Sequence, residues 1–323
     1  MKIPSARKLM YQTGAMSDTT FSDIGVTNLV KDLSIVNRRG HDHTDSKGVP
    51  YNFRVAVTVY PQALDGTGYN VTANSDDLRT TIKFLTVPDN WVAKNAGIAW
   101  HQARNASMKR IGVKKDQLGA YAKTIRYNWD ESATSFKAPV NGIGIAYAGG
   151  TWDTTKIFNA IDEDGFTLKL LGAGDDENDT IAGTDINALH SYLQSKATVL
   201  PDSNEHVSDV PSDRSLLLST KHGFDSDADE VALLRAEVQN VQDNPPYDEF
   251  ISSDTANDIT EKTEAARIVM YPSRNAGGVS VVFNAPYGMF QMIGVHRDVS
   301  GDSNVLDSLA YSVEVLDIFP MQG

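Results

Sequence analysis

The chain has 323 residues, of which 41% are hydrophobic and 22% are charged, a composition typical of globular rather than disordered proteins. It contains no cysteine, which excludes disulfide bonds and thiolate metal sites. The 42 acidic residues outnumber the 29 Lys and Arg, and the net charge of −13 argues against a protein that coats nucleic acid, because that role needs many exposed cations.

The charge is distributed unevenly along the chain. Residues 94–126 contain eight Lys and Arg against one acid, whereas residues 162–264 contain 24 Asp and Glu against six Lys and Arg. Two blocks of opposite sign predict surfaces that meet a partner of the other sign, and a second copy of the same chain would supply one.

The first predicted elements are one helix and two strands. Helical spacing predicts an amphipathic helix over residues 24–39 that ends at Gly40. β-branched and aromatic residues predict strands over residues 53–60 and 78–87. The apolar face of the helix consists of Val26, Leu29, Val30 and Leu33.

The longest predicted helix follows these strands. Asn90 is its expected N-cap, and Gly112 its expected end. A stripe of mostly small apolar residues would let this helix lie close against a sheet. The stripe consists of Val92, Ala96, Ala99, Trp100, Ala103 and Ile111.

The middle of the chain is predicted to alternate short elements with exposed connections. Strands are expected over residues 142–148, 165–171 and 215–220. Helices are expected over residues 186–195, capped by Thr184 or Asp185, and 228–241. Proline and polar residues predict exposed connections over residues 201–213 and 243–258.

The C-terminal part of the chain is the most strongly β. Strands are predicted over residues 266–271, 279–283, 289–295 and 311–319, with a tight turn within 284–288. With about eight strands, no evenly spaced β-α-β units and no fixed repeat, the sequence predicts a mainly β protein. The expected architecture is a two-sheet antiparallel sandwich with Greek-key connections and inserted helices.

The motifs of common enzymes are missing from the sequence, which has no GxxxxGK[ST], HExxH or GxSxG. The sequence therefore predicts a binding or assembling protein without catalytic turnover. Paired carboxylates for glycoside hydrolysis are the catalytic alternative, since such partners are usually far apart in the chain. Asp162, Glu163 and Asp164 are their first candidates, and an Asp-rich turn is the simpler interpretation.

Two groups of residues are candidates for metal binding. His41 and His43 could face one ion from an extended loop, and a solvated turn is the simpler interpretation. Asp225, Asp227 and Asp229 alternate as Ca²⁺ ligands can, but the glycine and terminal glutamate of an EF-hand loop are missing. The hypotheses are a weakly bound Ca²⁺ at a subunit boundary or a charged loop that keeps the surface soluble.

The cations of the long helix and the segment after it are the main candidate interface. Docking on the acidic block of a neighbouring subunit ranks first, a solvated helix face second, and contact with packaged nucleic acid third. The candidate residues are Lys94, Arg104, Lys109, Arg110, Lys114 and Lys115.

Several segments resemble the jelly-roll capsid proteins of small tailless icosahedral DNA viruses, including bacteriophages. They are a helix ending in VNRRG before the strand FRVAVTVYP, the segment VPDNWVAKNAGIAWHQARNASMKRIGV, and the closing strands VSVVFNAPYGMFQMIG and AYSVEVLDIFP. The resemblance implies a major capsid protein of the virion that self-assembles into an icosahedral shell around the viral genome. It implies an N-terminal segment over residues 1–50 and a jelly-roll shell region over 51–323. The implied insertions are a helix over 90–118 and acidic loops over 172–185 and 200–262.

The resemblance also implies the partners of the chain. They are copies of itself, other virion proteins or an internal membrane, with nucleic acid met only indirectly, because the first residues offer only Lys2, Arg7 and Lys8 in place of a long basic arm. A single and a double jelly roll both remain open. The alternative class is a secreted or cell-surface β-sandwich that binds or hydrolyses glycans, although the N-terminus lacks the apolar segment of a secretion signal.

Overall fold

The structure, a computed structural model, describes most of the β framework and parts of the long middle region. The described residues are 7–17, 19–61, 78–114, 117–119, 122–129, 136–141, 145–147, 152–157, 166–171, 185–199, 217, 220–221, 262–271, 277–298 and 309–322.

Eleven strands and three helices lie in these ranges. In chain order they are β1 (Lys8–Gln12), β2 (Ser22–Asn28), α1 (Leu29–Asn37), β3 (Tyr51–Val59), β4 (Leu78–Thr86), α2 (Trp91–Arg110), β5 (Lys156–Ile157), β6 (Phe166–Lys169), β7 (Asp185–Asn187), α3 (Ala188–Val199), β8 (Thr263–Met270), β9 (Val279–Pro286), β10 (Met289–Asp298) and β11 (Ala310–Pro320).

Eight of the strands form two four-stranded antiparallel sheets, which pack face to face as a sandwich. One sheet has the order β1-β11-β3-β9 and the other the order β2-β10-β4-β8. Their inward side chains alternate along the strands and form one apolar core, which includes Phe53, Phe84, Phe290 and Tyr311. This confirms the predicted mainly β sandwich with inserted helices.

The four strands of the N-terminal part pair with the four of the C-terminal part in reverse order. β1 pairs with β11, β2 with β10, β3 with β9 and β4 with β8, all antiparallel. The sandwich therefore closes only when the two ends of the chain come together.

The described residues between β4 and β8 form a second layer, which we call the insertion. It contains α2, α3 and a small sheet of order β5-β6-β7. A second apolar core, which we call the insertion core, joins these elements to one end of the sandwich. Trp100, Trp129 and Phe166 come from the insertion, and Val26 and Tyr287 from the sandwich.

The N-terminal region differs from the prediction. The helix expected over residues 24–39 begins only at Leu29, because residues 22–28 pair with β10 as strand β2. The Asn28 side chain accepts a hydrogen bond from the Lys31 amide and caps the helix. β1, which the sequence did not predict, pairs with β11, so both strands before residue 50 belong to the sandwich.

The long helix agrees with the prediction at its start and departs from it at its end. The Asn90 side chain accepts from the Ala93 amide and caps α2, as expected. Ile111, assigned to the apolar stripe, is 65% exposed because the helix ends at Arg110.

Other predictions of the middle region are partly corrected. α3 starts at Ala188 because the Asn187 side chain accepts from the amides of Leu189 and His190. Residues 217, 220 and 221 are helical, against the strand expected over 215–220. Of the strand expected over 142–148, only residues 145–147 are described, and there Ala146 makes one isolated bridge to Val140. The helix expected over 228–241 and the connections over 201–213 and 243–258 lie outside the described residues.

The predicted C-terminal strands are confirmed as β8 to β11. β9 and β10 belong to different sheets, and a two-residue turn of Tyr287 and Gly288, with φ of 57° and 69°, joins them. Both residues adopt the left-handed conformation, and the chain passes here from one sheet to the other. Tyr287 adopts this costly conformation with its ring fully buried and its hydroxyl bonded to the Ala93 carbonyl at 2.7 Å.

Candidate functional site

Helix α2 is held closely against the sandwich end, which fixes the position of its basic C-terminal end. Gly97 and Gly48 face each other, and a Cβ on Gly97 would lie 2.8 Å from the Gly48 carbonyl oxygen. On the side of the insertion, Trp100 Nε1 donates to the Ala188 carbonyl at 3.1 Å. The helix is therefore fixed from both sides, to the sandwich and to α3.

The six candidate cations do not form one continuous surface. Arg104 is 7% exposed and its guanidinium donates to the Ala122 carbonyl at 2.6 Å, so it packs inside the insertion. Burial lowers the pKa of Arg104 from its usual value. Lys94 is partly buried in the first half of the helix. Lys115 lies outside the described residues.

The other three cations lie together with an exposed apolar residue. Lys109 and Arg110 are exposed in the last turn of α2, Lys114 is exposed four residues after the helix, and Ile111 directly follows Arg110 in sequence. Arg110 also donates to the Thr220 carbonyl at 2.5 Å, which ties it to the insertion. We call these four residues the basic helix end. It combines positive charge with apolar area, as a protein-binding surface requires.

His43 is a packing residue of the insertion core. It is fully buried, and its Nδ1 lies 2.7 Å from the Tyr287 carbonyl oxygen, so Nδ1 carries the proton and donates. Its ring meets those of Tyr127 and Trp152 edge-on, with centroids 6.1 and 6.4 Å away. Burial lowers the pKa of His43 to about 4, although the hydrogen bond to Tyr287 and the charge of Asp42 act in the opposite direction.

The structure does not gather metal ligands around the predicted histidines. His41 is 4% exposed, and the described residues contain no group of three or more His, Asp or Glu that could hold an ion. Asp225, Asp227 and Asp229 lie outside the described residues, as do Asp162, Glu163 and Asp164.

A buried polar network inside the sandwich was missed by the sequence analysis. Asp32 of α1 accepts a hydrogen bond from the Tyr11 hydroxyl at 2.8 Å, and the Tyr11 ring stacks on Tyr311 at 4.9 Å. The Tyr311 hydroxyl lies 2.9 Å from Thr27 Oγ1 in the opposite sheet. Burial, partly opposed by the Tyr11 bond and Lys31, raises the pKa of Asp32 to about 8. The network ties β1, β2, α1 and β11 together.

No local signal marks this network, because its members are far apart in sequence and each is an ordinary residue in its own segment. Asp32 belongs to an amphipathic helix, where an acid is unremarkable until its burial is known.

Within the described residues, no helix is long and apolar enough to span a bilayer. Comparisons of the chain with protein-family models, with curated proteins and with solved structures give no match.

Proposed function

We propose that this chain is a structural capsid protein, which self-assembles into an icosahedral virion shell that encloses a viral genome. Its sandwich is a jelly roll in this proposal, and copies of the chain are its main partners. The proposal rests on the order in which the eight strands pair.

The strand order supports a jelly roll in a direct way. The eight sandwich strands, counted in chain order, pair as one long antiparallel ribbon. The first strand pairs with the eighth, the second with the seventh, the third with the sixth and the fourth with the fifth. Folding that ribbon over itself produces two four-stranded sheets in the observed orders. Viral capsids are one of the groups of proteins built on this topology.

A single jelly roll is favoured over a double one. The eight sandwich strands of the described residues pair with one another as one complete set. The long connection between the fourth and fifth strands of the ribbon carries helices and a small sheet, which suits an insertion better than a second roll.

The basic helix end is the proposed docking surface for the acidic block of a neighbouring subunit. It offers three exposed cations, and residues 162–264 carry 24 acids against six Lys and Arg. Charge complementarity mainly sets orientation and association rate, so apolar residues such as Ile111 must supply much of the affinity.

Sedimentation of the purified full-length chain, at rising concentration and at two salt concentrations, tests this function. We expect large discrete particles that form more slowly at high salt, because the Debye length falls from about 8 Å at physiological ionic strength to about 3 Å at 1 M. The double variant Lys109→Glu/Lys114→Glu should stay folded and assemble poorly. Arg110 is left unchanged because of its bond to Thr220.

The matched control is Arg39→Glu/Lys47→Glu, which makes the same change in net charge at two exposed residues outside the helix. It should assemble like the unmodified chain. A chain that remains monomeric at all concentrations contradicts the capsid function. If the Lys109→Glu/Lys114→Glu variant forms normal particles that lack nucleic acid, the basic helix end contacts the genome and not a neighbouring subunit.

A further inference from the structure

Three of the four edge strands of the sandwich are covered or interrupted. On one side, the Val140 amide donates to the Met10 carbonyl of β1, and the Lys137 amide donates to the Val26 carbonyl of β2, both at 2.8 Å. Segment 136–141 of the insertion therefore closes both edges on that side.

On the other side, β8 is protected by its own sequence. Its register with β4 shifts between Phe84 and Leu85, which bends the strand. Glu264 lies 3.4 Å from Lys83 and 2.7 Å from Arg267, so charged side chains line the strand. Bulges and charges are the devices by which edge strands avoid pairing with other chains.

β9 has neither a register shift nor a charged residue. Its eight residues, VSVVFNAP, carry no charge, and its register with β3 runs without a shift from Val279 to Pro286. Among the described residues, β3 is the only strand that pairs with it.

The hydrogen-bonding groups on its open side can be identified. The Tyr287 amide donates to the Tyr51 carbonyl, which continues the β3–β9 ladder, so alternate residues counted back from Tyr287 face β3. The N–H and C=O groups of Ser280, Val282 and Asn284 therefore point to the open edge.

The side chains of β9 are only partly covered near this edge. Val279 and Val281 share the inward face with Phe283 and pack against the sandwich core, yet both are only partly buried. On the outer face, Val282 is 48% exposed. One more strand beside β9 would cover the two inward valines and satisfy the open backbone groups.

We propose that β9 pairs antiparallel with β9 of a second copy of this chain, across a two-fold axis that passes through Val282. This contact names one interface of the self-assembly proposed above and rests on that function. In a two-fold symmetric contact the same strand of each copy forms the interface. Any charge on that strand would therefore meet a charge of the same sign and be repelled. β9 is uncharged in a chain of net charge −13, and its own copy is therefore a strand that it can meet without repulsion.

A cysteine at Val282 tests this register directly, because the chain has no cysteine of its own. In a hydrogen-bonded antiparallel pair the two Cα atoms are about 5.5 Å apart, which suits a disulfide. We expect Val282→Cys to form disulfide-linked dimers under mild oxidation. The control is Val269→Cys on the outer face of β8, where the same residue type is 37% exposed, and it should stay largely monomeric.

Two further variants address the backbone. Val282→Pro removes an amide that points away from β3, so the fold should persist while the dimer is lost. Val282→Lys should also abolish the dimer, since two lysines would meet on the axis. The proposal is wrong if Val282→Cys gives no dimer, or gives no more than Val269→Cys. It is also wrong if the Val282 amide is protected from exchange in the monomer, because another segment of the chain then occupies the edge.

The outcomes also separate this contact from the proposed function. Crosslinked dimers that never form larger particles support the β9 contact and contradict the shell. Large particles without the Val282 crosslink support the shell and contradict the contact.

Discussion

The sandwich core and the insertion core are both densely apolar, but they are closed in different ways. The sandwich core lies between sheets whose strands come from opposite ends of the chain and share continuous backbone ladders. The insertion core lies between α2, α3 and the short ladders of β5, β6 and β7, and side-chain bonds such as that from Trp100 to Ala188 link these elements. Loss of a sandwich strand should therefore unfold the molecule, whereas damage to the insertion core should loosen only the insertion.

The largest expected effect comes from removing β11. This strand lies between β1 and β3 and buries Tyr311, Val313 and Val315 in the sandwich core. Each such side chain contributes roughly 1.5–3 kcal/mol by burial, a large part of a typical stability. A chain that ends at residue 309 should not fold, as measured by circular dichroism. A cooperative thermal transition of this truncated chain would contradict the assignment.

A smaller effect is expected from cutting a large side chain in each core. Trp100→Ala and Phe290→Ala should each cost about 3–5 kcal/mol. Hydrogen exchange should separate the two. Trp100→Ala should raise exchange in α2 and α3 and leave the strands protected, while Phe290→Ala should reduce protection in both sheets together. Uniform loss of protection in the Trp100 variant would show that the two cores unfold as one.

The two cores also contain buried ionisable groups with opposite responses to pH. Asp32 in the sandwich has its pKa raised from 3.8 to about 8. The folded state therefore holds a proton that the unfolded state releases above pH 4. The contribution of Asp32 to the free energy of unfolding is therefore fully present below about pH 4. It is lost as the pH rises to about 8, by up to about 1.4 kcal/mol per pH unit.

The variant Asp32→Asn removes this dependence and keeps an oxygen that can accept from Tyr11. Its free energy of unfolding should vary less with pH between 4 and 8 than that of the unmodified chain, in denaturant titrations. If the free energy of unfolding changes equally with pH in the two proteins, Asp32 is ionised in the folded state and the account is wrong.

The insertion core should respond in the opposite direction, and less strongly. The pKa of His43 is lowered from 6.5 to about 4. Its contribution to the free energy of unfolding is therefore fully present above about pH 6.5 and is lost as the pH falls through 4. Arg126 also lowers this pKa, and its guanidinium lies 4.3 Å from the Trp152 ring. His43→Asn, which can still donate to Tyr287, should reduce the acid sensitivity of exchange in α2. Unchanged acid sensitivity would assign it to another group.

The sequence predicted the elements that carry their signal locally. β3 and β11 alternate apolar and polar residues along much of their length, and α2 has its own cap in Asn90. β2 was missed because Val26 continues the helical spacing of Leu29, Val30 and Leu33, although its partner is β10. β1 is only five residues long, and its partner β11 lies at the other end of the chain.

The candidate surfaces were predicted less well than the strands, because burial depends on distant contacts. Arg104 and Lys109 look alike in sequence, yet the first is buried and bonded to the Ala122 carbonyl and the second is exposed. His43 suggested a metal ligand beside His41, and its neighbours prove to be Tyr127, Trp152 and the β9–β10 turn. The open edge of β9 was invisible until the strand order was known.

Cryo-electron microscopy of the purified full-length chain at high protein concentration tests the central claim most directly. The account predicts closed particles of uniform size with icosahedral symmetry, in which the repeating unit is a sandwich of two four-stranded sheets. Isolated monomers or small oligomers at all concentrations and salt conditions would contradict a shell-forming protein.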